Sequence, residues 1–210
     1  MKIRKTDPST IGLREKRRRA SRASFIAAAR ELFDRKGFTD TTMAEVAEQA
    51  GLHLQTLYKH FPTKQALASA LHKETFHELL ADRTTDTLTF WRDWVKGSSK
   101  AQIERDGGMS FFQSVLLNDT DPKLMGVAAE LARDYVAALS RAIAQDLGMD
   151  VSTDRLPVLI AHMCWGGNYD AVRRWSASGA KEDLVALTVG AAEEVISIVH
   201  RLMADAGADP

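Results

Sequence analysis

The stretch Thr42-Met-Ala-Glu45-Val-Ala47-Glu-Gln-Ala-Gly51-Leu-His53-Leu-Gln-Thr-Leu57-Tyr-Lys-His-Phe61-Pro-Thr-Lys64 decides the fold. Thr42 and Glu45 have the spacing of a capping box. The hydroxyl accepts an amide proton left over at a helix start, and the carboxylate reaches back to the cap. The helix opened there is short, because Gly51 supplies the backbone angles of a turn at no steric cost. A second short helix over about 54–61 is halted by Pro62, and Thr63 caps the next. Two such helices joined by a glycine turn read as a helix-turn-helix. Ala47 is small where the two axes approach, and Val46, Ala50, Leu52 and Leu57 supply the core between them.

Outward from this pair the chain reads helical almost throughout. Residues 1–13 carry Pro8, Gly12 and scattered charges without periodicity, and are expected to form a flexible basic arm. A first helix is expected over about 14–36, with Ala23, Ile26, Ala27, Arg30 and Phe33 on one stripe. Gly37 suits the left-handed cap that ends it, and Phe38 packs back on the last turn. A fourth helix is expected from Thr63 to about Arg83, then a segment at 86–96 ending at Gly97, then a weaker one at 100–117 broken near Gly107-Gly108. Asp121-Pro122 opens a long helix that stops before Gly148, and two more follow over about 153–177 and 181–205. The fold class is all-α, with about nine helices.

The 28 basic and 28 acidic side chains cancel overall but not locally. Residues 1–73 hold 15 Lys and Arg against 7 Asp and Glu, whereas residues 74–210 hold 13 against 21. A positive front half suits a polyanion, and the rear half suits something else. The single cysteine, Cys164, excludes an intramolecular disulfide and fits a reducing compartment. No stretch is apolar enough to span a bilayer and the N-terminus is charged, so a cytoplasmic location and no membrane partner are expected.

The pattern Thr42-x3-Val46-Ala47-x2-Ala50-Gly51-Leu52-x4-Leu57-Tyr58-x-His60-Phe61-x2-Lys64-x2-Leu67 resembles the signature of the TetR family of transcriptional regulators, and Ala29-x2-Leu32-Phe33-x3-Gly37-Phe38 resembles that family's first helix. The resemblance is specific over about residues 20–70. It implies an N-terminal three-helix DNA-binding domain over 14–62 and a C-terminal helical bundle for ligand binding and dimerisation over 63–210. It also implies that residues 54–61 form the recognition helix in the major groove of double-stranded DNA, and that a dimer binds a near-palindrome. The function implied is a repressor released by a small apolar or amphipathic ligand. An activator, or a regulator without an effector, is the alternative.

The chemistry of the stretch agrees. Thr42 sits at a helix N-terminus, where amide protons and the dipole favour phosphate. Tyr58 and His60 can donate to phosphates flanking the groove, and Lys64 adds a cation; such contacts position without reading sequence. Gln55 can pair bidentately with adenine, Thr56 or Leu54 can touch a thymine methyl, and Lys59 reaches a guanine or a phosphate. His53 stands where the family often has a small capping hydroxyl. Two readings stay open: it caps the recognition helix, or it projects into the groove. The basic run Arg14, Lys16, Arg17, Arg18, Arg19 and Arg22 is either a solvated helix start or a contact to phosphate or the minor groove; phosphate contact is favoured because the run lies directly before the helix pair, with Arg17 and Arg18 as the named candidates.

In the second half, the last helix carries two adjoining apolar stripes, Leu184, Leu187, Ala191, Val195, Ile198, Leu202 and Val185, Val189, Ala192, Ile196, Val199, Met203. Both must be buried, one of them against something outside the domain, so a homodimer through the last two helices is expected. Rings concentrate in the middle helices, and Phe90, Trp94, Met109, Phe112, Cys164, Trp165 and Asn168 are the candidate ligand pocket. No catalytic motif is found, and no cofactor is implied. Glu74-x-x-His77 lacks the second copy that a di-iron site needs, so no metal is expected.

Overall fold

The computed structural model describes residues 8–106 and 121–206. Among them every regular element is helical: α1 (Pro8–Asp40), α2 (Met43–Gln49), α3 (Leu54–His60), α4 (Lys64–Ala81), α5 (Thr87–Asp106), α6 (Pro122–Leu147), α7 (Leu156–Ala177) and α8 (Leu184–Ala206). They fall into two compact units, up to Leu71 and from His72 onward. The division falls inside α4, whose Lys64 donates to carbonyls of the first unit.

In the first unit α1 already begins at Pro8, within the segment expected to be a flexible arm. A proline in the first helical turn has its φ pre-set and no amide proton to lose. The buried face of α1 is Phe25, Ile26, Ala28, Ala29, Leu32 and Phe33, while Ala23 and Ala27 point to solvent. Phe25 and Leu32 have far more apolar area to hide than two alanines, so they set the stripe. Gly37 interrupts the helix at φ 84°, and the Phe38 ring returns edge-on to Phe33 with centroids 5.5 Å apart. The capping box is complete: Glu45 N donates to Thr42 Oγ1 at 3.2 Å, and Thr42 N donates to Glu45 Oε2 at 2.8 Å. Gly51, at φ 65°, makes the turn, and Leu52 N closes α2 on Ala47 O at 3.0 Å.

In the second unit α5 runs unbroken through Gly97, correcting the two segments expected there. A glycine costs an α-helix about 1 kcal/mol. Burial of Trp91 and Val95 before it and Ser99 after it outweighs that loss. The expected break near Gly107-Gly108 lies outside the described residues. Asp121 caps α6 through Lys123 N at 2.8 Å, and Gly148 ends it at φ 64°. Asp146, near the end of α6, accepts from Thr87 N at 2.6 Å and Arg83 Nη2 at 2.8 Å, fixing the start of α5. α6 packs on α7, α7 on α8 and α8 on α5.

Tyr135 of α6 is the hub of this core. Its ring is 1% exposed and lies 4.2 Å from Phe76, 5.1 Å from Trp165 and 6.1 Å from Trp91, centroid to centroid. His72 of α4 packs its ring on Trp94 at 5.1 Å and on Tyr135 at 5.9 Å, and its Nε2 is enclosed. Burial pushes the pKa of His72 down to about 3, against an ordinary 6.5. Below pH 6.5 the unfolded chain therefore takes up a proton that the folded chain refuses. Stability from this residue is full above that value and falls on acidification by about 1.4 kcal/mol per pH unit. Urea titrations between pH 7 and pH 4 check this: the slope should appear in the wild type and flatten in His72→Leu.

Candidate nucleic-acid interface

α3 buries one face and leaves the other to solvent. Leu57 is 0% exposed, and Phe61, its C-cap residue, is 3% exposed. His53, Leu54, Gln55, Tyr58 and Lys59 are all exposed, Tyr58 to 48%. Thr56 is half-buried at the margin. His53 occupies the N-cap position with extended backbone, but its side chain makes no capping hydrogen bond. Of the two readings left open, the side chain adopts the outward one. Gln55, Tyr58 and Lys59 thus present an amide, a phenol and an ammonium from one short rod, a set able to address base edges and flanking phosphates.

The C-terminal end of α3 carries a basic cluster that the sequence suggested only in part. The His60 ring packs on Phe25 at 5.9 Å and on Phe61 at 6.1 Å. Its pKa is lowered, first by burial and then by the nearby guanidinium groups of Arg18 and Arg22. An imidazole held neutral still donates one N–H to an anion. Arg22 also lies over the Phe61 ring, 5.2 Å from its centroid. The sequence offers Arg22 only as one member of the basic run; its place over Phe61 appears once α1 and α3 meet in the fold. Glu15 ties up Arg18 through Nε at 2.9 Å and Nη2 at 3.0 Å, and Arg19 at 3.1 Å. Those guanidinium groups lower the carboxyl pKa of Glu15 to about 2, so it stays anionic. Arg17 is exposed on the same helix.

Two expected phosphate ligands have internal tasks. Lys64 Nζ donates to the carbonyls of Phe38 at 2.7 Å, Thr39 at 3.0 Å and Thr41 at 2.9 Å, and it sits 4.4 Å from the centre of the Phe38 ring. An ammonium has three protons, and all three find acceptors here. Burial, its largest influence, lowers the Lys64 pKa. Thr42 Oγ1 donates to Glu45 Oε2 at 2.8 Å, so its hydroxyl proton is likewise committed.

With this geometry the comparisons agree. Residues 25–71 match the family model for bacterial regulatory proteins of the tetR family. Residues 25–71 thus carry the DNA-binding domain of the tetR family. The chain is 27% identical to the HTH-type transcriptional regulator TcmR of Streptomyces glaucescens, over 96% of this chain and 92% of that one. A TetR regulator from Rhodococcus sp. RHA1 shares the fold with a TM-score of 0.58 at 17% identity, over 85% of this chain and 96% of the other. FadR of Thermus thermophilus, a TetR-family repressor solved in complex with lauroyl-CoA, gives 0.52 at 21% identity, over 83% and 93%. Among the described residues no helix is long and apolar enough to cross a membrane, and no group of three metal-ligating side chains occurs.

The second unit holds a narrow cavity walled by Trp91, Trp94, Tyr135, Trp165 and Asn168 among others. Three of the expected pocket residues thus line one space. Phe90 packs on Phe76 at 5.8 Å, and Cys164 is buried in the adjoining core, neither among the cavity walls. Met109 and Phe112 lie outside the described residues. Burial pushes the Cys164 thiol up to about 12, so it is a small apolar core group and no thiolate nucleophile.

Lys64→Met keeps the aliphatic stem over Phe38 and deletes three donated hydrogen bonds. A loss of about 1–2 kcal/mol in unfolding free energy is expected by urea titration, with the cost appearing in the absence of DNA.

Proposed function

We propose that the chain is a cytoplasmic repressor that holds a near-palindromic operator as a homodimer and leaves it when a small apolar or amphipathic ligand enters the second unit. The observation that carries the reading is the solvent-facing side of α3, where Gln55, Tyr58 and Lys59 stand clear of a core held by Leu57 and Phe61. In this reading Gln55 and Leu54 read bases. Tyr58, His60, Arg17, Arg18 and Arg22 hold phosphates, Thr42 and Lys64 fix the frame, and His53 and Lys59 border the groove.

The last two helices support a dimer. Leu159 on α7 is 57% exposed, and Ile198, Leu202 and Met203 on α8 are exposed as well. A row of large apolar side chains at helical spacing is covered most simply by the same row of a second copy. Two recognition helices must then lie one DNA turn apart, roughly 34–36 Å.

α4 links the ligand cavity to the reading head in this proposal. It is a single helix whose Lys64 end grips the carbonyls after α1, and whose Phe76 stacks on Tyr135 in the cavity wall. A ligand that moves Tyr135 moves α4. A coupling of ~1–3 kcal/mol weakens operator binding roughly 5–150-fold.

Fluorescence anisotropy on promoter DNA beside the gene tests the interface. Gln55→Ala should lose roughly 1–3 kcal/mol of discrimination at one base pair of each half-site. Arg18→Ala should weaken binding to all sequences and lower the log–log salt slope by about 0.9 per phosphate released. Equal, weak, sequence-independent binding by wild type and both variants would end the reading. Leu202→Glu should give a monomer by sedimentation and lose operator binding; a monomeric wild type would remove the two-fold.

A further inference from the structure

We infer that the cavity of the second unit takes an uncharged, planar aromatic molecule bearing oxygen acceptors, of the hydroxylated anthraquinone or flavone class. This rests on the reading of the chain as a ligand-released regulator and names the ligand chemistry of that same cavity. Its walls are dominated by the indoles of Trp91, Trp94 and Trp165 and the phenol ring of Tyr135. The space between the walls, open mouth included, is about 330 Å³. Its rings lean on one another, Tyr135 lying 5.1 Å from Trp165 and 6.1 Å from Trp91, so a guest must part them. A flat aromatic guest replaces each ring contact it breaks with another of the same kind, whereas a saturated chain breaks them and offers no π-face in return.

Two polar atoms fix the pattern of the guest. The Tyr135 hydroxyl, on a residue 1% exposed, and the Gln102 amide nitrogen both border the cavity. Both are enclosed and have no hydrogen-bond partner among the described residues. Burial, its largest influence, raises the Tyr135 pKa, and the Trp94 indole opposes it; an indole N–H only donates, so the phenol hydrogen still lacks an acceptor. A buried donor left unmade is costly, and both groups can donate, so the guest supplies acceptors such as carbonyl, ether or phenol oxygens. Asn168 adds an amide at the same wall. None of the wall residues described is Asp, Glu, Lys, Arg or His. A carboxylate or phosphate would enter with nothing to neutralise it, at the full desolvation cost. His72, stacked behind Trp94 and Tyr135, is itself held neutral and gives no cation.

The test is calorimetric titration of the full chain with a hydroxyanthraquinone, a hydroxyflavone, dodecanoate and lauroyl-CoA, each repeated by anisotropy with the protein on its promoter DNA. Expected is binding of the aromatic probes at one per chain, with little for the two acyl compounds. Tyr135→Phe, which keeps the ring, should weaken the aromatic probes five- to tenfold with an unchanged melting temperature. Gln102→Leu, away from the stacked hub, should weaken them by a similar factor. Failure of both aromatic probes to bind, or equal binding to both variants, overturns the inference. Preferential binding of the acyl compounds also overturns it, and if they then release DNA the ligand-released reading survives with another ligand. Aromatic binding that depends on Tyr135 but leaves DNA affinity unchanged keeps the ligand class and ends the ligand-released reading.

Discussion

The constraint behind the first unit is that α3, the helix proposed to meet DNA, has seven residues and buries only Leu57 among them. A helix that short has no standing of its own in water, since nucleation consumes what a few hydrogen bonds return. Its exposure is also its use, so stability must be imported. Phe61 plugs the far end, Arg22 covers that ring, and His60 leans on Phe25 of α1. Lys64 then fastens the start of α4 to the carbonyls of residues 38, 39 and 41, the segment leading into α2. Each contact leaves the outer face of α3 untouched. The charged groups around α3 therefore divide into those that hold the rod and those left exposed to solvent.

That division explains which residues were legible in the sequence. The capping box at Thr42, the turn at Gly51, the stops at Gly37 and Gly148, and the cap at Asp121 each depend on neighbours within a few positions, and each appears in the fold. Lys64 and Arg22 depend on partners 26 and 39 positions away, Phe38 and Phe61, and no local pattern announces such pairs. Gly97 shows the opposite failure. Its local signal to stop is real, but the neighbouring Trp91 and Val95 carry the helix through because tertiary burial exceeds a propensity of about 1 kcal/mol. The misassigned stripe on α1 has the same origin: alanines satisfy a period as well as phenylalanine does, yet contribute little burial.

The candidate pocket was legible as chemistry more than as geometry. Of the candidates named from the concentration of rings in the middle helices, Trp94, Trp165 and Asn168 line the cavity, joined there by Trp91. Tyr135 and Gln102 escaped notice because each sits in an unremarkable helical pattern, Tyr135 on the inner face of α6. What marks them is a missing partner, and a missing partner is visible only once the neighbours are in place.

The charge asymmetry along the chain gains a physical reason if both proposed sites hold. A surface built to meet DNA needs an excess of cations, and a cation is most useful where water and phosphate compete for it. A cavity lined by indoles has the opposite need, because any unpaired charge there raises the desolvation cost of the empty state. Segregating the two keeps each site at its own dielectric. It also keeps an anion attracted to the first unit from being drawn into the second, so a neutral guest can act on the core without competing with the nucleic acid for the same groups. The residue that most sharply shows the separation is His72, an imidazole only eight positions after Lys64 on the same helix: at the basic end of α4 the nitrogen is a cation with three acceptors, and eight residues later the nitrogen is kept neutral by the rings around it.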